Sequence, residues 1–432
     1  MTEPLRVIVV GAGAAGLMAA TTAAQRGCRV TLLEKNRKTG VKILMSGGTR
    51  CNITQATDSR GIVDAFDAVG NGGRFLRHSV GRFTPDDVVA FFESQGVATK
   101  REETGKIFPV SDRAVHVRDA LHQAALKAGV QIGLGAAVIG FHNIASQAGK
   151  RWQVSFQQSG HTESIEAERV IVTSGGQSWP GCGTTGDAYA WLRELGHRII
   201  PPRPALVPLL GGFDWTHDLA GLTLPCVEAS VLPAKGKKPI VRRSGGWLFT
   251  HFGFSGPTPM DVSGRLLCDP SGNVHSNRLR VDLQPRVQRE VMFTHLNGRT
   301  GSAASQTLGQ ALTSWLPSRL ASALATQASG LPNGKGLRLG ECSRAIADRV
   351  VESIKRWQVP VHGSRGFAKA EVTAGGVALD EVCPKTMASR LHPGLFLAGE
   401  VLDVDGPIGG FNFQAAFSTG RAAGIAVSDV EA

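Results

Sequence analysis

The sequence predicts an α/β protein in which one Rossmann-type domain is built from both ends of the chain and a second domain is inserted between them. Three observations predict this architecture. A strand–helix–strand pattern opens the chain, the pattern changes to short strand-like runs and turn residues at the proline cluster that begins at Pro201, and a strand–turn–helix pattern returns from Lys369. At 432 residues the chain also exceeds the size at which a single hydrophobic core stops growing. More than one domain is therefore expected.

The opening pattern consists of a short apolar strand at residues 5–10, a helix at 15–26 and a second strand at 29–34. Apolar runs of this length bounded by glycines are typical of buried strands, and the longer alanine-rich run between them is typical of a helix. Together they predict a βαβ unit, which places two parallel strands side by side.

A glycine-rich turn connects the first strand to the helix. Gly11, Gly13 and Gly16 have the spacing of a dinucleotide-binding turn, and Glu34 ends the second strand at the expected distance. Gly11 permits the tight turn, Gly13 lets the backbone approach a pyrophosphate, and Gly16 lets the helix pack closely on the strand. Glu34 is expected to accept hydrogen bonds from ribose hydroxyls. These signals predict one dinucleotide site.

A second glycine cluster, Gly181, Gly183 and Gly186, has the same spacing but a different context. It lies several residues beyond the strand at 170–173, and no acid follows at the required distance. The cluster is therefore expected to form a loop near the cofactor or a simple turn, and the sequence predicts no second dinucleotide domain.

The remaining elements of the first part follow ordinary start and stop signals. Thr84 and Pro85 predict a helix start and Gly96 its end. A further helix is predicted from 112 to 127, and the alternating runs between 130 and 174 predict a β-meander that leads back into the parallel sheet.

The predicted domain boundaries are 1–200 and 370–432 for the two parts of the Rossmann-type domain and 201–369 for the insertion. Within the insertion, residues 201–270 are expected to be rich in strands and 286–326 to be mainly helical.

Positive charge is concentrated in the insertion. The chain has a formal net charge of +12, and residues 201–369 hold 21 Lys+Arg against 10 Asp+Glu, a net of +11. One interpretation is a solvated basic face; the other is a surface for an anionic partner, with RNA the obvious candidate. Trp215, Trp247, Trp315 and Trp357 in the same region can either stack on bases or pack in a core.

The seven cysteines are scattered, with no CxxC pair, which favours a reducing cytoplasm over a secreted disulfide framework. The uncharged stretch 7–24 is interrupted by three glycines and has no cleavage-site pattern, so no membrane or targeting role is predicted. The histidines have no ligand spacing, and no metal site is predicted.

Three stretches resemble one known family, the YhiN-like flavoproteins, also called the aminoacetone oxidase family. Residues 46–54 resemble its SGGGRCNxTN signature, residues 249–257 its FTHxGxSGP segment, and residues 394–414 its GLYFAGEVLDxxGxxGGYNLQ ending. The resemblance covers essentially the whole chain. Two departures, Thr49 for the third glycine and Gln55 for the final asparagine of the first signature, indicate a divergent branch.

This resemblance implies FAD as cofactor, a FAD domain like that of glutathione-reductase-type flavoproteins, and an inserted β-barrel with an attached helical region. The loop 46–52 is expected to run beside the flavin and 173–176 to lie next to the cofactor. Glu400 and Asp403 are expected to bind cofactor hydroxyls, the alternative being solvated loop carboxylates. Residues 409–412 are expected to open a helix whose N–H groups face the flavin.

The residues assigned to the cofactor, from the turn and from the resemblance, are Gly11, Gly13, Ala14, Ala15, Gly16, Glu34, Lys35, Lys42, Ser46, Gly47, Gly48, Arg50, Cys51, Asn52, Thr173, Ser174, Gly175, Gly176, Gly399, Glu400, Asp403, Gly409, Gly410, Phe411 and Asn412.

Two residues are candidates for catalysis. If Cys51 borders the flavin, its thiol can donate the proton that reduction of a C=C bond requires; the alternative is a small residue packed beneath the cofactor. His251 is the second candidate; the alternative is that it has a purely structural role.

Members of the resembled family are linked to oxidation of small amines such as aminoacetone, reduction of steroid-like enones, and reduction of uridine in ribosomal RNA. The charge of the insertion favours NADH- or NADPH-driven reduction of uridine in ribosomal RNA. A small-molecule oxidoreductase and a non-catalytic, flavin-carrying RNA-binding protein are the alternatives.

Overall fold

The computed structural model describes residues 3–69, 72–146, 149–267, 277–297 and 304–429. The chain forms two compact units: the first combines Met1–Ala205 with Gly366–Ala432, and the second is Leu206–Arg365. The predicted insertion, 201–369, starts and ends a few residues outside the second unit.

Strands and helices are numbered in chain order. The first segment contains β1 (Arg6–Val10), α1 (Ala14–Gln25), β2 (Arg29–Glu34), α2 (Val41–Met45), β3 (Thr54–Gln55), α3 (Ser59–Val69), α4 (Gly73–Arg82), α5 (Pro85–Ser94), β4 (Thr99–Arg101), β5 (Lys106–Pro109), α6 (Ala114–Lys127), β6 (Gln131–Leu134), β7 (Ala137–Ser146), β8 (Gly149–Gln158), β9 (His161–Ala167), β10 (Arg169–Val172), α7 (Asp187–Glu194) and β11 (Ile199–Ala205).

The second unit contains β12 (Leu209–Gly211), α8 (Asp214–His217), β13 (Thr223–Leu232), β14 (Val241–Thr250), β15 (Gly253–Ser255), α9 (Pro257–Leu266), β16 (Arg278–Asp282), α10 (Arg289–Leu296), α11 (Leu308–Leu312), α12 (Ser318–Ser329), α13 (Arg344–Lys355), β17 (Trp357–Val359) and β18 (Val361–Ser364). The final segment adds β19 (Val372–Val377), β20 (Leu395–Leu397) and α14 (Phe411–Ala426).

A five-stranded parallel sheet forms the centre of the first unit, in the order β20-β10-β1-β2-β6. Its central strands are buried runs of valine, isoleucine and leucine, as expected for a sheet covered on both faces. The predicted βαβ opening is confirmed, and β2 has the predicted bounds. In open parallel sheets a ligand binds at the carboxyl ends of the strands, where the strand order reverses. Here that point lies between β1 and β10.

The other predicted elements of this unit are confirmed with small shifts. Thr84 caps α5 in a capping box with Asp87, as the Thr84-Pro85 signal indicated. Helix α6 begins at Ala114, two residues later than predicted, and β7, β8 and β9 form the expected antiparallel meander.

Strands β11 and β19, which precede and follow the second unit in the sequence, form an antiparallel pair. The register shifts between Ile200 and Arg203, where Pro201 and Pro202 have no N–H to donate. The proline cluster, at which the sequence pattern changes, therefore forms a bulge within the last strand before the second unit.

The second unit contains a seven-stranded sheet in the order β17-β16-β13-β14-β15-β12-β18. Its two end strands, β17 and β18, are separated along the chain by Pro360 alone, so the sheet curls round until its ends meet at one continuous segment. The segment 357–364 thus pairs with β16 through β17 and with β12 through β18, and this continuous segment closes the sheet into a barrel.

The segment 201–270, expected to be rich in strands, contains β12, β13, β14 and β15, and the segment 286–326, expected to be mainly helical, contains α10, α11 and α12. Helix α9 and the strands β16, β17 and β18 were not predicted individually. Helix α9 has Pro257 at its first position, where the missing N–H costs nothing, and this start signal was overlooked.

The tryptophans divide between core and surface. Trp247 and Trp357 are buried and pack with Phe249 and Phe254 inside the barrel. They are therefore core residues and are not available to stack on nucleic-acid bases. Trp215 is half-buried and stacks on Phe213. Among the described residues, no helix combines the length and the apolar character needed to cross a membrane.

Candidate functional site

The turn between β1 and α1 has the geometry its glycines predicted. Gly11 has φ +97°, and a Cβ there would lie 2.8 Å from the carbonyl oxygen of Thr173. A Cβ on Gly16 would lie 1.9 Å from the carbonyl oxygen of Gly11 and 2.6 Å from Thr173 Oγ1. Gly11 is therefore required by the turn, and Gly16 by the close contact of α1 with the turn and with the end of β10.

Gly13 is different, because neither its backbone nor its neighbours require glycine. Its φ of −79° and ψ of −168° are open to any residue, and a Cβ would have no atom within 4 Å. Gly13 is the N-cap of α1 and provides no side chain to cap the first N–H groups. The open space before an uncapped helix N-terminus is the feature that a pyrophosphate needs.

Glu34 links the end of β2 to this turn. Its Oε2 accepts a hydrogen bond from the Ala12 N–H at 2.7 Å, and its Oε1 accepts from the Asn36 N–H and Nδ2, both at 2.8 Å. Since a carboxylate has about four acceptor positions, room for one further donor remains on Oε2. The residue is buried, and its binding to a ribose stays a prediction.

The neighbouring Lys35 contacts the second glycine cluster. Its Nζ lies 2.5 Å from Asp187 Oδ2 and 2.7 Å from Thr185 Oγ1, and Asn36 Nδ2 donates to the Cys182 carbonyl at 3.0 Å. Residues 181–186 therefore form a loop that leads into α7 beside the end of β2. That this loop lies near a bound cofactor stays a prediction.

The loop 46–51 carries an unusual run of left-handed backbone. Gly47, Gly48, Thr49 and Cys51 have φ of 54°, 66°, 70° and 60°. A β-branched residue such as Thr49 is strained there, which explains why the resembled signature has a third glycine at this place. Strain of this kind persists where the surroundings impose it, and it is concentrated at binding sites.

Two buried polar atoms of residues assigned to the cofactor, one next to this loop and one just beyond β10, have no hydrogen-bond partner among the described residues. They are Asn52 Oδ1 and Ser174 Oγ. A Cβ on Gly410 would lie 2.8 Å from Asn52 Oδ1, so the glycine allows the start of α14 to approach the asparagine. Buried polar atoms without partners are uncommon in native proteins and mark a place where a ligand supplies the partner. The residues present thus fit a dinucleotide cofactor.

The start of α14 completes this region. Gly409 and Gly410 have φ of 130° and 91°, and Gly410 is an N-cap without a capping side chain. Phe411 is the first helical residue, while Asn412 bonds through its side chain to the N–H and carbonyl of Gly406, which fixes the loop in front of the helix. The first N–H groups of α14 are therefore held in place and free to face an anionic group.

Glu400 is at the centre of a polar cluster. Its Oε2 lies 2.5 Å from Lys42 Nζ, and its Oε1 accepts from Ser178 Oγ at 2.6 Å and from the Thr373 N–H at 2.8 Å. Thr373 Oγ1 in turn accepts from the N–H groups of Gln177 and Ser178. The cluster joins four separate segments of the first unit, and Ser178 and Thr373 were not singled out from the sequence.

Asp403 is buried, and its Oδ1 accepts from the Gly375 N–H at 3.0 Å. Neither Glu400 nor Asp403 is therefore a solvated loop carboxylate, the alternative considered from the sequence. Gly399 has φ 77°, donates its N–H to Thr419 Oγ1, and leaves room for Ala15, since a Cβ there would lie 2.7 Å from the Ala15 Cβ.

Arg50 lies in an ion-pair cluster at the surface of the loop. It contacts Glu102 at 2.5 Å and Asp112 at 2.7 Å, and its guanidinium lies 4.0 Å from the ring centre of Phe108. Lys100 and Arg50 hold the pKa of the Asp112 carboxyl below its usual value. The contacts give Arg50 a role in fixing the strained loop.

Cys51 is completely buried. Burial raises the pKa of its thiol to about 12, and a hydrogen bond with the Ser46 side chain opposes the shift only in part. A thiol with no access to solvent has no path to a substrate. The geometry therefore favours the packing role over the acid role.

We expect Cys51→Ala to leave FAD content and substrate turnover within twofold of the wild type. The lost sulfur contacts should lower the free energy of unfolding by about 1 kcal/mol. Cys28→Ala, at a half-buried cysteine of the same unit, is the matched control. The test is FAD absorbance per protein together with steady-state turnover; a tenfold loss of turnover at full FAD content would restore the acid role.

Glu371 was missed by the sequence analysis, which treated its surroundings only as a strand. Its side chain is solvent-accessible, but the protein around it displaces bulk water, and this desolvation raises the pKa of the carboxyl while Lys42 and Lys106 oppose the shift. Glu371 immediately precedes β19, and Lys42, which pairs with Glu400, is one of the two cations that act on its carboxyl.

His251 lies in the second unit, in the turn between β14 and β15. It is exposed, and its ring makes an edge contact with Phe252 at 5.0 Å. It is not a buried structural histidine. The described residues contain no group of three or more His, Cys, Asp or Glu side chains arranged to hold a metal ion.

The family model described as "HI0933-like protein Rossmann domain" matches residues 5–426. The chain is 31% identical over 420 residues to the "Ribosomal RNA dihydrouridine synthase" of Escherichia coli, with 96% of each chain covered. A protein of Haemophilus influenzae with the same name is 30% identical over 99% of this chain and 100% of its own. The "3-dehydro-bile acid delta(4,6)-reductase" of Clostridium scindens is 30% identical over 98% of this chain and 99% of its own.

Solved structures share the fold at low identity. A 3-ketosteroid delta1-dehydrogenase from Sterolibacterium denitrificans has a TM-score of 0.52 at 15% identity, covering 99% of this chain and 100% of that one. A flavocytochrome c3 fumarate reductase has a TM-score of 0.51 at 16% identity, covering 99% of this chain and 78% of that one. These likenesses concern the fold alone.

Proposed function

The chain belongs to the HI0933-like Rossmann-domain family of FAD-dependent oxidoreductases, and on this basis we propose that it reduces uridine to dihydrouridine in ribosomal RNA. NADH or NADPH is the proposed electron donor, and the cytoplasm, where ribosomal RNA is made, is the proposed location. Membership of an oxidoreductase family argues against the non-catalytic alternative.

The observation that carries the RNA assignment is the charge of the second unit. Residues 206–365 hold 19 Lys+Arg against 10 Asp+Glu, so one unit holds most of the net charge of the chain. Binding to nucleic acid depends chiefly on neutralising phosphates, whereas a small neutral substrate gains nothing from such an excess. The names of two full-length relatives point the same way.

The cofactor site supports the assignment to FAD. The turn at Gly13 and the N-terminus of α1 would hold the pyrophosphate, Glu34 the adenosine ribose, and Asn52, Ser174 and the start of α14 the flavin end. Once bound and reduced by NADH or NADPH, the flavin would supply the hydride that one carbon of the C=C bond receives.

Reduction of the C=C bond also requires a proton for the second carbon. We assign this proton to the Glu371 carboxyl, whose raised pKa keeps a larger share of it protonated near neutral pH than an ordinary glutamate. Lys42 and Lys106 stabilise the carboxylate that remains, and solvent access allows it to be protonated again. The buried thiol of Cys51 lacks that access.

Reduction of a small enone is the second candidate. It is favoured by the 30% identity to a protein named 3-dehydro-bile acid delta(4,6)-reductase. That name denotes reduction of C=C bonds. Oxidation of small amines has support only from the family resemblance noted in the sequence.

The first experiment is a dihydrouridine map of ribosomal RNA from the source organism with and without this gene. We expect one position to lose dihydrouridine on deletion and to regain it with the intact gene, and not with a gene that encodes Gly13→Glu. An unchanged map would reject the RNA assignment and leave the enone reductase. Turnover of steroid enones with NADH or NADPH would then be the measurement to make.

A further inference from the structure

A row of basic side chains follows one hairpin of the second unit. The loop between β13 and β14, residues 233–240, carries Lys235, Lys237 and Lys238, all exposed and without an ion-pair partner among the described residues. Arg278, on the neighbouring strand β16, donates to the loop carbonyl of Gly236 at 3.2 Å. The loop backbone is thus held to the sheet while its three ammonium groups remain available.

The row continues onto the sheet itself. Ser230 of β13 lies opposite Arg242 of β14 on one side and opposite Arg280 of β16 on the other. Directly opposed residues of neighbouring strands project from the same face, with Cβ atoms roughly 5 Å apart. Two arginines therefore flank one serine on a single face of the sheet.

Ser230 faces a cavity of about 220 Å³ on this side of the sheet. The residue is 3% exposed, and its hydroxyl has no hydrogen-bond partner in the described part of the chain. The hydroxyl borders the cavity and is therefore able to bond to a ligand group that enters it.

The charges that line this cavity largely cancel, with one exception. Asp282 pairs with Lys355 at 2.7 Å, Arg289 with Glu352 at 3.1 Å, and Glu228 with Arg242 at 3.4 Å. Arg356 contacts Glu352 at 3.5 Å. Arg280 is the lining cation for which the described residues provide no carboxylate, and it lies next to the free hydroxyl.

An arginine and a hydroxyl side by side are hydrogen-bond donors without an acceptor. A phosphate oxygen fits both, because a guanidinium presents a planar set of N–H groups to phosphate. Five further cations, Lys235, Lys237, Lys238, Arg242 and Arg278, lie along the same hairpin and strand. Lys235 follows Ser230 by five residues, which is roughly 16 Å along an extended chain. Cations spread over this distance suit a chain of phosphates better than a single small anion.

We propose that this basic hairpin face, made of Lys235, Lys237, Lys238, Arg242, Arg278 and Arg280, binds the sugar–phosphate backbone of ribosomal RNA, with one phosphate held by Arg280 and Ser230. The inference rests on the proposed function and makes it specific. It assigns RNA binding to one face of the second unit rather than to its charge as a whole.

The test compares two variants of the holoprotein that carry the same net charge. One is Lys235→Gln/Lys237→Gln/Lys238→Gln; the control is Arg60→Gln/Arg77→Gln/Lys127→Gln, three exposed cations of the first unit. Labelled fragments of the organism's ribosomal RNA are titrated at several salt concentrations. The hairpin variant should bind at least ~10-fold more weakly at about 0.15 M salt, while the control stays within twofold. The slope of log binding constant against log salt concentration should be smaller in magnitude by about two to three for the hairpin variant. Arg280→Gln should weaken binding by itself.

Dihydrouridine mapping in strains that carry the same variants separates the possible failures. If the wild type forms dihydrouridine and the hairpin variant binds RNA like the control, the binding face is wrong and the reductase stands. If the wild type neither binds ribosomal RNA nor forms dihydrouridine, the proposed function fails and the inference with it. Hairpin-dependent binding to phosphatidylserine vesicles without RNA binding would overturn the proposal in favour of a membrane surface.

Discussion

Gly13→Glu is expected to abolish FAD binding while the protein still folds. The backbone of Gly13 is open to any residue and its Cβ would meet nothing within 4 Å, so the side chain enters empty space at no cost to packing. That space lies before the uncapped N-terminus of α1, where the pyrophosphate is expected. A carboxylate there repels the phosphates and occupies the helix N-terminus in their place. We expect FAD affinity to fall by at least ~100-fold, equivalent to about 2.7 kcal/mol.

The measurement is FAD titration of the apoprotein followed by flavin fluorescence, with the thermal midpoint of the apoprotein as the measure of folding. Gly81→Glu is the matched control, because Gly81 is exposed on α4 and its Cβ would also have no atom within 4 Å. The control should bind FAD like the wild type. Full FAD affinity in the Gly13 variant would place the cofactor elsewhere and would remove the basis of the proposed chemistry.

Glu371→Gln is expected to slow reduction of the C=C bond by at least ~100-fold, the usual contribution of a positioned acid. The glutamine keeps the shape of the side chain but has no proton to donate. Reduction of the bound flavin by NADH or NADPH does not need this proton and should proceed at the wild-type rate. Rapid-mixing measurements of the two half-reactions test the prediction, because a general loss of structure would slow both.

The pH dependence supplies a second readout for the same residue. The protonated carboxyl is the active form and its pKa is raised, so the wild-type rate of C=C reduction should be constant below that raised pKa and fall as the pH increases through it. The residual rate of Glu371→Gln should lack this step. The same step in the variant would assign the titration to another group and reject Glu371 as the donor.

Local patterns were sufficient to predict the nucleotide end of the site. The βαβ opening, the three glycines and Glu34 follow from strand period, helix period and turn chemistry, which act over a few residues. The structure adds that the three glycines serve different needs: Gly11 the turn, Gly16 the helix contact, and Gly13 the space in front of the helix. No pattern in the sequence separates these needs.

The polar cluster around Glu400 could not be predicted in the same way. Lys42 and Glu400 are 358 positions apart, and Ser178 and Thr373 belong to two further segments. Which hydroxyl meets which carboxylate depends on how β19 and β20 pack beside β10, and nothing local in the chain encodes that contact. Glu371 was overlooked for the same reason, since its setting exists only in the folded protein.

The sequence by itself determined the Rossmann-type fold, the position of the insertion to within a few residues, and the concentration of positive charge in it. The tertiary structure alone decided that Cys51 is buried, that Trp247 and Trp357 are core residues, and that Arg242 and Arg280 flank Ser230. The physical reason is range. Backbone propensity and turn chemistry depend on neighbours along the chain, whereas burial and strand register depend on the packing of segments that are distant in sequence.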